Sequence, residues 1–215
     1  MGDPILGFFT PFVSKKGYSQ IQEVVSKSKN KGFTDASWEA MMKEVGWKSG
    51  EAWCAYFVKL VYMQFFSFDR QWLSKNITGS ARGNFDNVIR LNRTGDKRYV
   101  AIATNTPQVG DIAVWGKLGE GHTAIVTQVN SATSIKTIEG NTNEKGSREG
   151  DRVLELNRTV AVGKAGRGSS KPFVGYIRRN FTEEELKNLK FDENLQTLVM
   201  GGTYNPLSPF GSKSK

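Results

Sequence analysis

"GDIAVWGKLGEGHTAIVTQVNSATSIKTIEGN", residues 110 to 141, is where the chain changes character. Valine, isoleucine and threonine gather in short runs separated by glycine, asparagine and serine, a composition that suits a pleated surface better than a helix. Two further runs, "DRVLELNRTV" and "FVGYIRRN", follow from residue 151 onward. Five short strands in an antiparallel meander are therefore expected from Pro107 to Asn180.

Upstream the apolar spacing is helical. "YSQIQEVVSKSKNKG" sets Ile21, Val24, Val25 and Ser28 on one face and predicts a surface helix ended by Gly32, and "DASWEAMMKEVG" predicts a second that stops at Gly46. From Ser49 to Phe66 the sequence is apolar nearly all round, which marks a central, buried helix. "GNFDNVIRLN" predicts a further helix with Phe85, Val88 and Ile89 inward, before a turn at Gly95 and Asp96. Helices followed by strands argue for an α+β fold with segregated elements, not alternating βαβ units. Residues 1–34 read as an N-terminal extension with its surface helix, 35–180 as the main domain, and 181–215 as a short helix and a flexible tail. Thr182 followed by acids in "TEEELKNLK" opens that helix, and Gly, Pro and Ser dominate the tail. "VGKAGRGSSKP" is a basic loop carrying Lys164, Arg167 and Lys171.

The 215 residues, 38% of them hydrophobic, suffice for one sizeable core. Lysine and arginine outnumber acids 30 to 21, a formal charge of +9, and such an excess favours an anionic polymer or surface as partner. Nucleic acid is not indicated, because no binding motif or aromatic-basic sheet pattern accompanies the charge. One cysteine excludes an intrachain disulfide. The opening "MGDPILGFFTPFVSKKGYSQ" has an acid and prolines where a secretory signal needs positive charge and an unbroken apolar run. "AWCAYFVKLVYMQFF" holds Lys59 and Gln64 and falls short of the roughly 20 residues of a membrane span. Synthesis in the cytoplasm without a Sec signal is the expectation.

Cys54 and His122 are the sole members of their types. A lone cysteine in an apolar helix is commonly packing, but one near a helix N-terminus feels the positive end of the dipole, which favours the thiolate. A lone histidine opening a strand is as readily a satisfied structural residue as a base. Together they are the minimum pair for thiol chemistry, in which imidazole takes the thiol proton and returns it to the leaving amine. The imidazole then needs an acceptor on its second nitrogen. "TIEGN" offers Glu139, and Asn141 two positions on faces the same way in a regular strand. Burying Glu139 alone would be costly, so it implies either a partner or a solvent-facing site. One Cys and one His cannot build a structural zinc site, and no calcium loop, phosphate-binding loop or serine-nucleophile elbow is present.

"EAWCAYFV", "PQVGDIAVW", "GHTAIV" and "TIEGNTN", in that order between about residues 35 and 178, resemble the CHAP family of cysteine, histidine-dependent amidohydrolases and peptidases. The resemblance implies a papain-like fold in which a Cys-bearing helix packs on an antiparallel sheet. It also implies Cys54 as nucleophile, His122 as general base and acid, Glu139 as the group orienting His122, and Asn141 as a neighbour that orients the imidazole or helps hold the oxyanion. Asp111 and Trp115 match a strand motif and are taken as structural or cleft-lining. The acidic calcium-binding segment of some members is absent from "VGWKSGEAWC", so neither metal nor other cofactor is expected. The implied activity is cleavage of an amide bond in peptidoglycan, as an N-acetylmuramoyl-L-alanine amidase or an endopeptidase. A bacteriophage endolysin or virion-borne lysin fits the profile, with virion proteins as further partners and the cell wall or periplasm as site of action. A toxin-type amidase effector shares that profile, and a phage structural or adaptor protein that retains the fold is the alternative.

Overall fold

In a computed structural model the protein is described over residues 21–24, 29–117, 119–145, 149–166 and 171–188. The expected extension before residue 21, the tail beyond 188 and the middle of the basic loop, 167–170, lie outside the described residues.

Helix α1 (Ala36–Glu44) starts where Asp35 caps the amides of Ser37 and Trp38, at 2.8 and 3.0 Å. Helix α2 (Cys54–Phe65) buries every residue except Tyr56, as its all-round apolar sequence requires. It begins later than Ser49, because residues 48–51 form a turn closed by the Glu51 amide on the Lys48 carbonyl at 3.0 Å, and the Trp47 indole N–H holds the Glu51 carbonyl at 2.8 Å. A 3₁₀ turn (Ser67–Asp69) leads into α3 (Arg70–Asn76), and Ser80 caps α4 (Ala81–Arg93) through the Gly83 amide. Phe85 and Val88 of α4 point inward as predicted, with Ile89 half-buried against the core.

The five expected strands form: β2 (Ile112–Lys117), β3 (Glu120–Ser131), β4 (Ser134–Thr142), β5 (Arg152–Thr159) and β6 (Phe173–Arg179). A sixth, β1 (Tyr99–Ile102), precedes them. All pairings are antiparallel in the order β1-β6-β2-β3-β4-β5. The sheet is thus a meander from β2 to β5 whose last strand returns to the other side of β2, where it accepts β1 as the edge. Helix α5 (Glu183–Asn188) follows, opened by reciprocal bonds between Thr182 and Glu185.

The predicted surface helix at 18–32 is corrected over its described residues. Gln22 and Glu23 are extended and bridge Arg152 and Phe33. Their backbone is taken up by tertiary pairing, and the apolar spacing of Ile21 and Val24 reflects one buried and one exposed side chain instead of a helical stripe. Glu23 is buried, and its carboxylate accepts from the Trp53 indole at 2.6 Å and the Asn30 amide at 2.7 Å. The chain before α1 thereby braces the residue next to Cys54.

The central strands are covered on both faces. Val114, Ile125, Ile138 and Ile177 meet the helices, where Trp38, Trp53, Phe57 and Val61 fill the main core. Ala113, Trp115, Ala124, Val126 and Ile135 turn the other way, into a smaller cluster with Phe173 and Tyr176. Asp111 fixes the entry to β2: it is buried, paired with Arg178 at 2.7 and 2.8 Å, and accepts from the Gln108 amide.

Helix α2 lies on β3 and β4, and Gly140 lets it sit close. A Cβ at 140 would stand 2.6 Å from the Trp53 ring and 2.7 Å from Phe57. We expect Gly140→Ala to cost about 2 kcal/mol in denaturant unfolding, because overpacking here must push α2 off the sheet.

Candidate active site

Cys54 is the first residue of α2 and is 4% exposed. The residue before it, Trp53, provides no side-chain cap, and the first bond of the helix runs from the Phe57 amide to the Trp53 carbonyl. The amides of the first turn, that of Cys54 included, therefore lie ahead of the helix's own ladder.

His122 is the third residue of β3, directly opposite Trp115 on β2. His122 is 2% exposed and lies in the middle of the sheet order. Nε2 is 2.7 Å from Glu139 Oε2. Nδ1 is buried with no fully formed hydrogen bond, and Cys54 is the neighbour that acts on the ring together with Glu139. Burial alone would lower the proton affinity of this imidazole, but the Glu139 charge, the Cys54 contact and the bond to Glu139 outweigh it and raise the pKa to about 9.

Glu139 is fully buried, which removes the reading of an edge carboxylate in solvent. Besides His122 it accepts from Thr137 Oγ1 at 2.6 Å and from Arg158, whose Nε lies 2.6 Å from Oε1 and whose second nitrogen bonds Oε2. Burial would raise its pKa, and the bonds and charges of Arg158 and His122 reverse that and hold it at about 2. The carboxylate is held ionised between two cations.

Arg158 is the residue that sequence reasoning missed. It is buried on β5 beside Trp115, with the guanidinium 5.6 Å from the ring centroid. In "LELNRTV" it looks like an arginine on a solvated face. Only the register, which sets Arg158 opposite Ile135 and so on the Thr137 and Glu139 side of the sheet, could have exposed it.

Asn141 is close in sequence but not joined to the others. The register shifts between Glu139 and Thr142, and Asn141 has φ +56, so regular alternation does not carry through to put both side chains on one face. Its amide is fully buried with neither polar atom hydrogen-bonded among the described residues. Asp111 is structural, and Trp115 packs beside the imidazole with ring centroids 6.0 Å apart.

A cleft of about 410 Å³ opens over Cys54, lined also by Glu51, Ala52, Tyr56, Gly79, Ser80, Ala81, Gly119 and Gly121. Among the described residues no group of three or more His, Cys, Asp or Glu could hold a metal ion, and no helix is long and apolar enough to cross a membrane.

The order of these elements, a thiol at a helix start and a histidine and acid on successive strands, agrees with comparison to known families. Residues 45–141 match the family model of the CHAP domain. The chain carries a CHAP domain. Proteins of this family are cysteine- and histidine-dependent amidohydrolases or peptidases, and peptidoglycan is the substrate the family suggests. A comparison with curated proteins gave no match. The CHAP match ends at Asn141, so Arg158 lies beyond it.

Two outcomes test the electrostatics. The folded imidazole keeps its proton to about pH 9 and the unfolded one loses it near 6.5, so its stabilisation is complete below 6.5 and is lost as pH rises through 9. Glu139 behaves oppositely, stabilising above 4.5 and losing that contribution as pH falls towards 2. Urea titrations across pH should therefore show greatest stability between about 4.5 and 6.5, with a flatter profile in Glu139→Gln. Arg158→Met should cost about 3 kcal/mol at neutral pH, since it leaves a buried carboxylate with one cation fewer, and less when combined with Glu139→Gln.

Proposed function

We propose that this CHAP domain hydrolyses an amide bond of peptidoglycan by a thiol mechanism carried by Cys54, His122 and Glu139. The observation that supports it best is the fully buried His122–Glu139 pair with its remaining nitrogen left for the thiol at the start of α2. The imidazolium of His122, stabilised by Glu139, already holds the proton of the Cys54–His122 pair. The sulfur attacks the amide carbonyl, and the first-turn N–H of Cys54 faces the developing oxyanion. The imidazolium gives its proton to the leaving amine, which departs and leaves a thioester. His122, now neutral, then deprotonates a water that releases the acid, and the proton it gains restores the starting pair. Because Nε2 is already held by Glu139, we assign the unpaired Asn141 amide to the oxyanion side instead of to the imidazole.

The formal charge of +9 suits an anionic envelope. The settings we propose are a phage endolysin or virion-borne lysin acting at the cell wall, or an amidase effector delivered into competing bacteria. A scaffold of a phage particle that only retains the fold would show no thiol reactivity.

Purified protein incubated with peptidoglycan sacculi should release fragments whose masses identify the bond cut. Cys54→Ala and His122→Ala should abolish release while the far-ultraviolet spectrum stays unchanged, and Glu139→Gln should retain partial activity. Undiminished release by Cys54→Ala would end the enzymatic reading.

A further inference from the structure

The walls of the Cys54 cleft are built from small residues. Gly79, Ser80 and Ala81 form one side, Gly119 and Gly121 another, and the third carries Glu51, Ala52 and Tyr56 beside the thiol. Most of the polar side-chain groups are already engaged. Ser80 Oγ accepts from the Gly83 amide, and the Tyr56 hydroxyl donates to Glu51 Oε2 at 2.7 Å. Burial and the neighbouring Glu51 raise the Tyr56 pKa to about 12, so the phenol stays a neutral donor. The Lys48 amide also reaches Oε2, at 3.3 Å. Glu51 Oε1 has no hydrogen-bond partner among the described residues, and the residue is exposed at the cleft mouth.

Two charges beside this wall are committed elsewhere. Arg82, one residue past the cleft wall, is paired with Asp86, and Glu120, between the two glycines of the hairpin wall, pairs with Lys171. The cleft lining thus presents one carboxylate as its charged group, in a chain whose formal charge is +9. A site meant only for an anionic polymer would not place an acid beside its nucleophile, because the acid repels the substrate where it must come closest.

We infer that Glu51 is a specificity-determining residue that pairs with a primary ammonium of the substrate, close to the scissile amide. The substrate class is then an amine-bearing peptide within an anionic polymer, with the polymer drawn by the overall charge and the cutting position chosen by Glu51. The inference deepens the amide-hydrolase reading and rests on it. Tyr56 holds the carboxylate in place, and Gly79 makes room for Tyr56: a Cβ at 79 would stand 2.5 Å from its ring.

Glu51→Gln isolates the charge, since the amide oxygen still accepts from Tyr56 and Lys48. Sacculi are used native and after acetylation of their free amines. Wild-type kcat/KM should fall about three- to fivefold on acetylation, the scale of one solvent-exposed ion pair. Glu51→Gln should show the same fall on native sacculi and no further loss on acetylated ones. Equal sensitivity of the two proteins to acetylation, or insensitivity of both, overturns the assignment. A binding arm stands apart from catalysis, using Cys54→Ala and Cys54→Ala/Glu51→Gln sedimented with each wall. Acetylation makes the wall more anionic, so charge attraction alone predicts tighter binding. Weaker binding by Cys54→Ala, absent in the double variant, supports the Glu51 site even where wild-type protein releases nothing and the hydrolase reading fails. Unchanged or tighter binding overturns it.

Discussion

A carboxylate taken wholly out of water constrains this molecule more than any other group. An unpaired charge at Glu139 would be prohibitively costly, so the fold has to bring it cations and donors from separate strands. His122 arrives from β3, Thr137 from β4 itself and Arg158 from β5. Those contacts lock three adjacent strands in register and, as a by-product, produce a histidine of raised proton affinity beside a thiol. Stability and chemistry here share one cluster, so the pH range that holds the sheet together overlaps the range that keeps the imidazole protonated.

The second constraint is steric. Helix α2 can deliver Cys54 to the sheet only if the strand beneath offers no side chain where the helix touches it, and Gly140 meets that need between the acid and Asn141. The glycine of "EGN" is thus explained by packing and its glutamate by charge. Trp53 serves both demands: its ring rests over Gly140, and its indole N–H is held by Glu23.

The strands after Pro107, the buried helix and the Cys54, His122 and Glu139 set were legible in the sequence, because each leaves a local trace: a run of β-branched residues, an all-round apolar stretch, a polar residue where an apolar one is expected. Arg158 left none. Its alternation with Asn157 and Thr159 is that of a solvated strand face, and its burial follows from a pairing register and from cover by Trp115 that no single segment encodes. The same holds for β1, four residues whose strand character comes from pairing with β6. The segment around Ile21 erred in the opposite direction, since helical spacing was present but the backbone was claimed by Arg152 and Phe33. The helix around Phe85 was legible, whereas α3 was not, because a short element packed on a large core needs little pattern of its own.

Two contacts at the periphery set how small the molecule can be made. Glu23, ahead of the matched segment, grips the residue before the nucleophile, and Arg158, past its end, balances the charge behind the histidine. The stretch recognisable by its sequence, 45–141, is therefore shorter than the set of residues that hold the site together. Trimmed to that stretch, the polypeptide would keep every atom of the proposed Cys54, His122 and Glu139 set and lose the counterion and the brace that make it usable. A version of this protein cut for engineering or grafting keeps those two contacts only if Glu23 and Arg158 stay with the matched stretch.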